Sequence, residues 1–240
     1  MISVRNLHVS LAGKEILKGL SFVLPFGENL VILGKSGSGK TVFIKTLLGM
    51  NPPDMGNIII DGVNIYDCSK EELFAIKKSF GMVFQHAALL DSFTVYQNVA
   101  LPLYERGMKD EELILEKVIS ALKLVGLEHT LDHYPAELSG GMKKRIGIAR
   151  ALVYDPDYLI FDEPVSGLDP ITAEETLYYI GEIMKSNRAT VITITHDVKT
   201  IEQLGQKFLF LSDGEQIYYG SYRNLIKSDN EVILQYFRQD

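Results

Sequence analysis

The sequence is short of the features that would place a chain outside the cell, across a membrane or along nucleic acid. Its 240 residues hold a single cysteine, Cys68. No disulfide can therefore close within the chain, and too few thiolates exist for a cysteine zinc site; a reducing cytoplasm fits. No stretch approaches the ~20 uninterrupted apolar residues of a membrane-spanning helix. The opening MISVRNLHVS has neither the basic start nor the apolar run of a secretion signal. The expectation is a chain neither secreted nor membrane-spanning by itself. Basic residues are also in deficit: 24 Lys and Arg stand against 31 Asp and Glu, a net charge of -7. That balance argues against nucleic acid as a partner. Repeats and low-complexity linkers are missing as well.

What is present is a globular balance, 46% hydrophobic and 23% charged, enough to bury the core of one large α/β domain. Short β-branched runs alternate with helix-period stretches: strands at Ile2 to Val9, Leu30 to Leu33, Tyr158 to Phe161 and Thr190 to Thr195, and a helix from Lys40 to about Gly49. The runs at 158–161 and 191–194 are almost wholly apolar, as expected of central strands with helices on both faces. Between about Val95 and Leu152 the β signal vanishes. There Ile114, Val118, Leu122 and Val125 recur at helical spacing before Gly126, which predicts a helical insertion with a glycine C-cap. Phe208 to Leu211 and Gln216 to Tyr219, separated by Ser212 to Glu215, predict a hairpin, followed by a short helical tail.

Three segments carry chemistry. Gly34-Lys35-Ser36-Gly37-Ser38-Gly39-Lys40-Thr41 follows an apolar strand and opens a helix, the context that a phosphate loop requires. Its glycines let backbone N–H groups wrap a β-phosphate, the helix N-terminus adds partial positive charge, Lys40 spans the β- and γ-phosphates, and the Thr41 hydroxyl can ligate Mg²⁺. ATP and magnesium are the expected cofactors. By itself the loop does not separate a kinase from a motor or a transporter. The strand ending in Asp162-Glu163 offers a magnesium-side carboxylate in Asp162, and in Glu163 a base for the proton of an attacking water. Leu138-Ser139-Gly140-Gly141-Met142 precedes a helix, with Ser139 a natural N-cap and the glycines exposing backbone N–H groups. Asp169-Pro170 reads as an N-cap with proline at the first helical position. Lys143, Lys144, Arg145 and Arg150 read as one solvated basic helix face.

In motif order, and over essentially its whole length, the chain resembles the ATPase subunits of ATP-binding cassette (ABC) transporters. The resemblance implies a P-loop NTPase fold with a mostly parallel sheet core, an N-terminal antiparallel β-subdomain and an inserted helical subdomain. It implies one domain over 1–240, with the core at 1–90 and 156–240 and the insertion at 91–155. The family's Q-loop glutamine falls on Gln85, its signature on Leu138 to Met142, its D-loop on Ser166 to Asp169 and its switch histidine on His196. Catalytic roles would then rest with Glu163, His196, Gln85 and Lys40, and magnesium ligands with Thr41, Gln85 and Asp162. Such subunits pair head to tail, so Ser139, Gly140, Gly141 and Asp169 of one copy would meet nucleotide held by the other. A permease partner is implied, with the chain on the cytoplasmic face of the inner membrane.

Two departures from the family pattern matter. The aromatic residue that stacks on adenine near the start is replaced, on alignment of Asn6 to Leu17, by Leu11, so weak discrimination among purine bases is expected. Where most importer subunits have Gln after the signature glycines, this chain has Met142. Met142, the stretch Phe84 to Asp91 and the run Gly167 to Thr172 look like the ATPases of Mla-type phospholipid transporters, which work with mammalian-cell-entry-type lipid-binding proteins. Other transporter classes, namely small-molecule import and lipoprotein release, and iron–sulfur assembly ATPases are the alternatives. Chromosome-type members need a long coiled coil between the phosphate loop and the signature, and ribosome-type members need two cassettes. Neither is found.

Overall fold

The computed structural model describes residues 1–85, 87–186, 189–196, 201 and 204–238. His86, within the Mla-like stretch, lies outside them. The strands are β1 (Ile2–Leu11), β2 (Lys14–Leu24), β3 (Leu30–Leu33), β4 (Met55–Ile60), β5 (Val63–Asn64), β6 (Phe80–Val83), β7 (Tyr158–Asp162), β8 (Thr190–Ile194), β9 (Lys207–Ser212) and β10 (Glu215–Gly220). The helices are α1 (Lys40–Leu47), α2 (Lys70–Lys78), α3 (Val95–Glu105), α4 (Glu111–Lys123), α5 (Gly140–Leu152), α6 (Pro170–Ser186), α7 (Tyr222–Leu225) and α8 (Glu231–Phe237). They form two contact units, Met1–Ser79 with Thr190–Asp240, and Phe80–Ala189.

The first unit holds an antiparallel sheet in the order β2, β1, β4, β5. In β2 the side chains Leu17, Leu20, Phe22 and Leu24 are buried while Lys18, Ser21 and Val23 face water, the period-2 alternation of a sheet packed on one face. Ala12 (φ 49°) and Gly13 (φ 79°) make the two-residue turn from β1, both in the left-handed region that suits a twisted hairpin. The unit's other strands centre on β3, which runs parallel to β8 and β9, with Leu30 opposite Ile192 and Val31 opposite Phe208. All four residues of β3 are buried. The expected hairpin is present as β9 and β10, closed by Asp213 (φ 49°) and Gly214 (φ 82°) alone. Phe208, Phe210, Leu225, Ile233 and Tyr236 pack with Val31 and Leu33. The tail helices are thereby fixed to the strand that feeds the phosphate loop.

The second unit pairs β6 with β7 in parallel, Phe80 opposite Tyr158 through Val83 opposite Phe161. Helices α3 to α5 fall within the expected insertion, and the unit joins them to both strands and α6. Ile114, Val118, Leu122 and Val125 are fully buried, each stabilising the fold by about 1.5–3 kcal/mol. Asp110 caps α4 through the Leu113 N–H, and Gly126 at φ 69° follows its end.

The basic face expected on α5 is corrected by the structure. Lys144 and Arg145 are only 6% and 7% exposed. α5 is surrounded on nearly all sides, so its cations satisfy groups inside the unit. Arg145 donates to the Val125 carbonyl (3.2 Å), pairs with Glu175 (3.2 Å) and faces the Tyr179 ring. Arg150 donates to the Ala87 and Ala88 carbonyls, at 2.5 and 2.8 Å.

Candidate functional site

The first unit carries the phosphate loop. Hydrophobic β3 delivers the chain to Gly34, and α1 begins at Lys40 with Gly39 as its N-cap at φ 106°, without a side-chain cap. The first N–H groups of α1 thus keep their donors for a ligand. The Lys40 ammonium turns back on its own loop, donating to the carbonyls of Gly34 (2.5 Å) and Lys35 (3.0 Å). A lysine folded over its loop in this way stands where phosphate oxygens would replace carbonyl acceptors. Ser38 is buried, and its Oγ finds no hydrogen-bond partner among the described residues. A buried hydroxyl without a partner costs about 1–3 kcal/mol, a deficit that an anion in the loop would remove. These features fit a nucleotide phosphate. Thr41 is exposed at the start of α1. His196 is exposed just beyond β8.

The second unit carries the remaining motif residues and brings several together. Ser139 caps α5, accepting from the Met142 N–H at 3.2 Å. A Cβ on Gly141 would lie 2.1 Å from Thr172 Cγ2, so any larger residue here would force the Thr172 methyl to turn away. Asp169 caps α6, accepting from the N–H groups of Ile171 (3.2 Å) and Thr172 (3.1 Å). Hydrogen bonds from Thr172 hold its carboxyl below the usual carboxylate range. Asp162 ends β7, and Glu163 follows with φ 50°, in the left-handed region that non-glycine residues seldom occupy. The Gln85 amide donates to the Ser166 hydroxyl at 3.4 Å.

One residue here was misread from sequence. The Lys144 ammonium donates to the backbone carbonyls of Glu163 (3.0 Å) and Ser166 (2.8 Å). Burial pushes its pKa down, opposed by the nearby carboxylates of Glu163 and Asp162. A signal was available: Lys144 lies on the helical stripe of Gly141 and Ile148, spacing that marks a buried face.

Among the described residues no three His, Cys, Asp or Glu side chains form a metal cage. No helix there is long and apolar enough to cross a membrane.

Comparison with known proteins agrees with this geometry. Residues 17–166 match the family described as ABC transporter. A probable ribonucleotide transport ATP-binding protein, Mkl, of Mycobacterium leprae is 39% identical over 235 residues, covering 98% of this chain and 68% of that protein. A methionine import ATP-binding protein, MetN, of Carboxydothermus hydrogenoformans is 39% identical over 223 residues, 92% of this chain and 66% of that one. The chain thus spans about two thirds of the length of these curated relatives. Among solved structures, CbiO1 from Clostridium perfringens aligns with a TM-score of 0.86 at 32% identity, covering 98% of this chain and 93% of that one. The ATP-binding cassette MJ0796, in a dimeric post-hydrolysis state bound to ADP and Pi, aligns at 0.81 with 30% identity, covering 92% and 98%. With the phosphate loop, the cassette fold and these relatives in agreement, the chain belongs to the ABC transporter family as one of its ATP-binding cassette ATPases.

Proposed function

We propose that the chain is the engine of a membrane transporter, working as a head-to-tail homodimer on the cytoplasmic face of the inner membrane. Its two halves would act across the dimer. The loop Gly34 to Thr41 of one copy holds the phosphates, and Ser139 and Gly141 of the second copy close on the γ-phosphate, with Gly140 and Asp169 beside them. By the family resemblance Thr41, Asp162 and Gln85 would hold magnesium, and the ion would supply neutralising charge for the phosphates. Glu163 takes the proton of the attacking water, and His196 contacts the γ-phosphate. Closure of the dimer moves a permease, and hydrolysis resets it. The core at 1–90 and 156–240, with the insertion at 91–155, is the corresponding mechanical division.

The permease would dock on the second unit. A 290 Å³ groove there is lined by Phe84, Leu90, Leu101, Pro102, Glu105 and Arg150 among others. Phe84 and Leu90 are 44% and 43% exposed, and an exposed apolar patch of this kind is typical of a protein contact.

The cargo we propose is phospholipid or a related lipid, with a mammalian-cell-entry-type lipid-binding subunit as a further partner. Met142, in place of glutamine after the signature glycines, is the observation that carries this reading, and the chain is accordingly read as an Mla-type ATPase resembling MlaF. A small-molecule importer is the second reading, favoured by the names of the relatives, methionine import and ribonucleotide transport. Affinity purification of the chain from detergent-solubilised membranes, with mass spectrometry of proteins and lipids, separates the two. Recovery of a permease, a lipid-binding subunit and phospholipid is expected. A permease with a soluble-solute receptor and no lipid favours import; soluble partners alone overturn transport.

Base recognition provides a separate test. Leu11 ends β1 at 40% exposure and lacks an aromatic face for adenine. Dissociation constants for ATP and GTP are expected within about threefold of one another. Leu11→Tyr should tighten ATP binding about fivefold, the lower end of base-stacking energies. A strong preference for ATP in the unaltered chain would show that another group reads the base.

A further inference from the structure

We propose that Lys144 is a positioning residue for hydrolysis, holding the backbone of the turn from Glu163 to Ser166 so that the Glu163 carboxylate keeps its place. The inference rests on Glu163 being the base, as proposed above.

The turn needs an external hold. Glu163 sits at φ 50°, a conformation that is costly for a glutamate and persists only where the surroundings over-determine it. Within the turn the Ser166 N–H reaches the Glu163 carbonyl at 3.2 Å, a long bond for closing so strained a corner. Lys144 supplies what is missing. Its ammonium lies inside the turn and donates to both ends, at 3.0 Å to Glu163 O and 2.8 Å to Ser166 O. Ser166 is gripped a second time through its hydroxyl by Gln85. Two residues assigned to the reaction, Gln85 and Glu163, are thus joined through one serine and one lysine.

Stability alone does not favour a lysine at this position. Taking an ammonium out of water is costly, and its partners repay that cost only where the geometry is close and the remaining protons are satisfied. A Met at 144 would fill the same space. What it would lose is the grip on two specific carbonyl oxygens. The neighbouring Arg145 makes the contrast clear, because its partners are Val125, Glu175 and Tyr179, none of them a residue to which the reaction is assigned. Lys144 also stands one turn beyond the Ser139 cap on α5. The helix that presents the signature is therefore the helix that places the base.

The test compares Lys144→Met, Lys144→Arg and Glu163→Gln in the full chain, measuring kcat, KM for ATP and melting temperature. Lys144→Met is expected to lower kcat at least about tenfold, the scale of a catalytic group displaced by a fraction of an ångström. KM should stay within about twofold, and the melting temperature should fall by only a few degrees, because two carbonyls lose a donor. Lys144→Arg keeps the charge and both donors and should recover most of the lost rate. Unchanged kcat in Lys144→Met overturns the proposal, as does a loss expressed wholly in KM, or an arginine variant as impaired as the methionine one. If Lys144→Met fails to fold, Lys144→Gln decides, with an intermediate kcat expected; if that too fails to fold, Lys144 is a purely structural residue and the proposal falls. A Glu163→Gln protein at full rate refutes the base assignment itself. A full-rate Lys144→Met beside an inactive Glu163→Gln refutes only the positioning role.

Discussion

Replacing Glu163 with glutamine is expected to slow steady-state ATP turnover by about 100- to 10,000-fold, the range that a general base contributes. The substitution is nearly isosteric and removes the negative charge together with the capacity to accept a proton. It keeps the backbone at φ 50° and the carbonyl that receives Lys144. ATP should therefore still bind, because the loop proposed to hold its phosphates is untouched, and a nucleotide-bound dimer should accumulate. Phosphate release measures the first effect, and size-exclusion chromatography with MgATP the second. Turnover within about tenfold of the unaltered chain would show that the proton goes elsewhere.

Gly34→Ala is expected to be the most damaging single methyl group in the phosphate loop. Gly34 sits at φ 143°, and an added Cβ would lie 2.2 Å from the Leu211 carbonyl oxygen and 2.6 Å from Ser38 Oγ. The first of these is backbone in β9, paired in register with β3, so no rotamer change relieves it. Either the loop lifts away from β9 or the strands shift. A loss of roughly 2–4 kcal/mol is expected, a fall of about 6–12 °C in melting temperature for a chain of this length. ATP affinity should fall at least about tenfold as the loop N–H groups lose their common focus. Gly37→Ala serves as the control. Gly37 also has positive φ, at 80°, but nothing lies within 4 Å of its added Cβ, so only the conformational cost of about 1 kcal/mol applies. Equal losses in the two variants would mean that crowding at Gly34 is absorbed.

The strand, turn and helix around Gly34 to Thr41 were legible in the sequence because the motif sets particular residues at fixed spacing in one local unit. The buried strands β3, β7 and β8 were legible from their almost wholly apolar runs, and α4 from the spacing of Ile114, Val118 and Leu122. β2 was not. It opens with Lys14-Glu15 and carries Gly19 in its middle, and its turn puts alanine, at Ala12, where asparagine or glycine would have announced a hairpin. Lys144 was missed for a deeper reason. Charge is usually read as exposure, and the carbonyls that make this lysine a buried one lie 19 and 22 residues further along the chain. The stripe with Gly141 and Ile148 marked the Lys144 position as buried but not its partners, and the partners of Arg150, Ala87 and Ala88, lie 63 and 62 residues away, beyond the reach of local pattern.

That last contact gives α5 a mechanical character. The helix is 13 residues long, about 20 Å from end to end at 1.5 Å per residue. Arg150, in its final turn, holds two alanine carbonyls of the segment after β6, and Ser139 stands at its first turn. Sides buried along most of its length leave α5 little room to bend. Anchored to Ala87 and Ala88 at one end and capped by Ser139 at the other, α5 acts as a spacer that ties the position of Ser139 to that of the segment after β6.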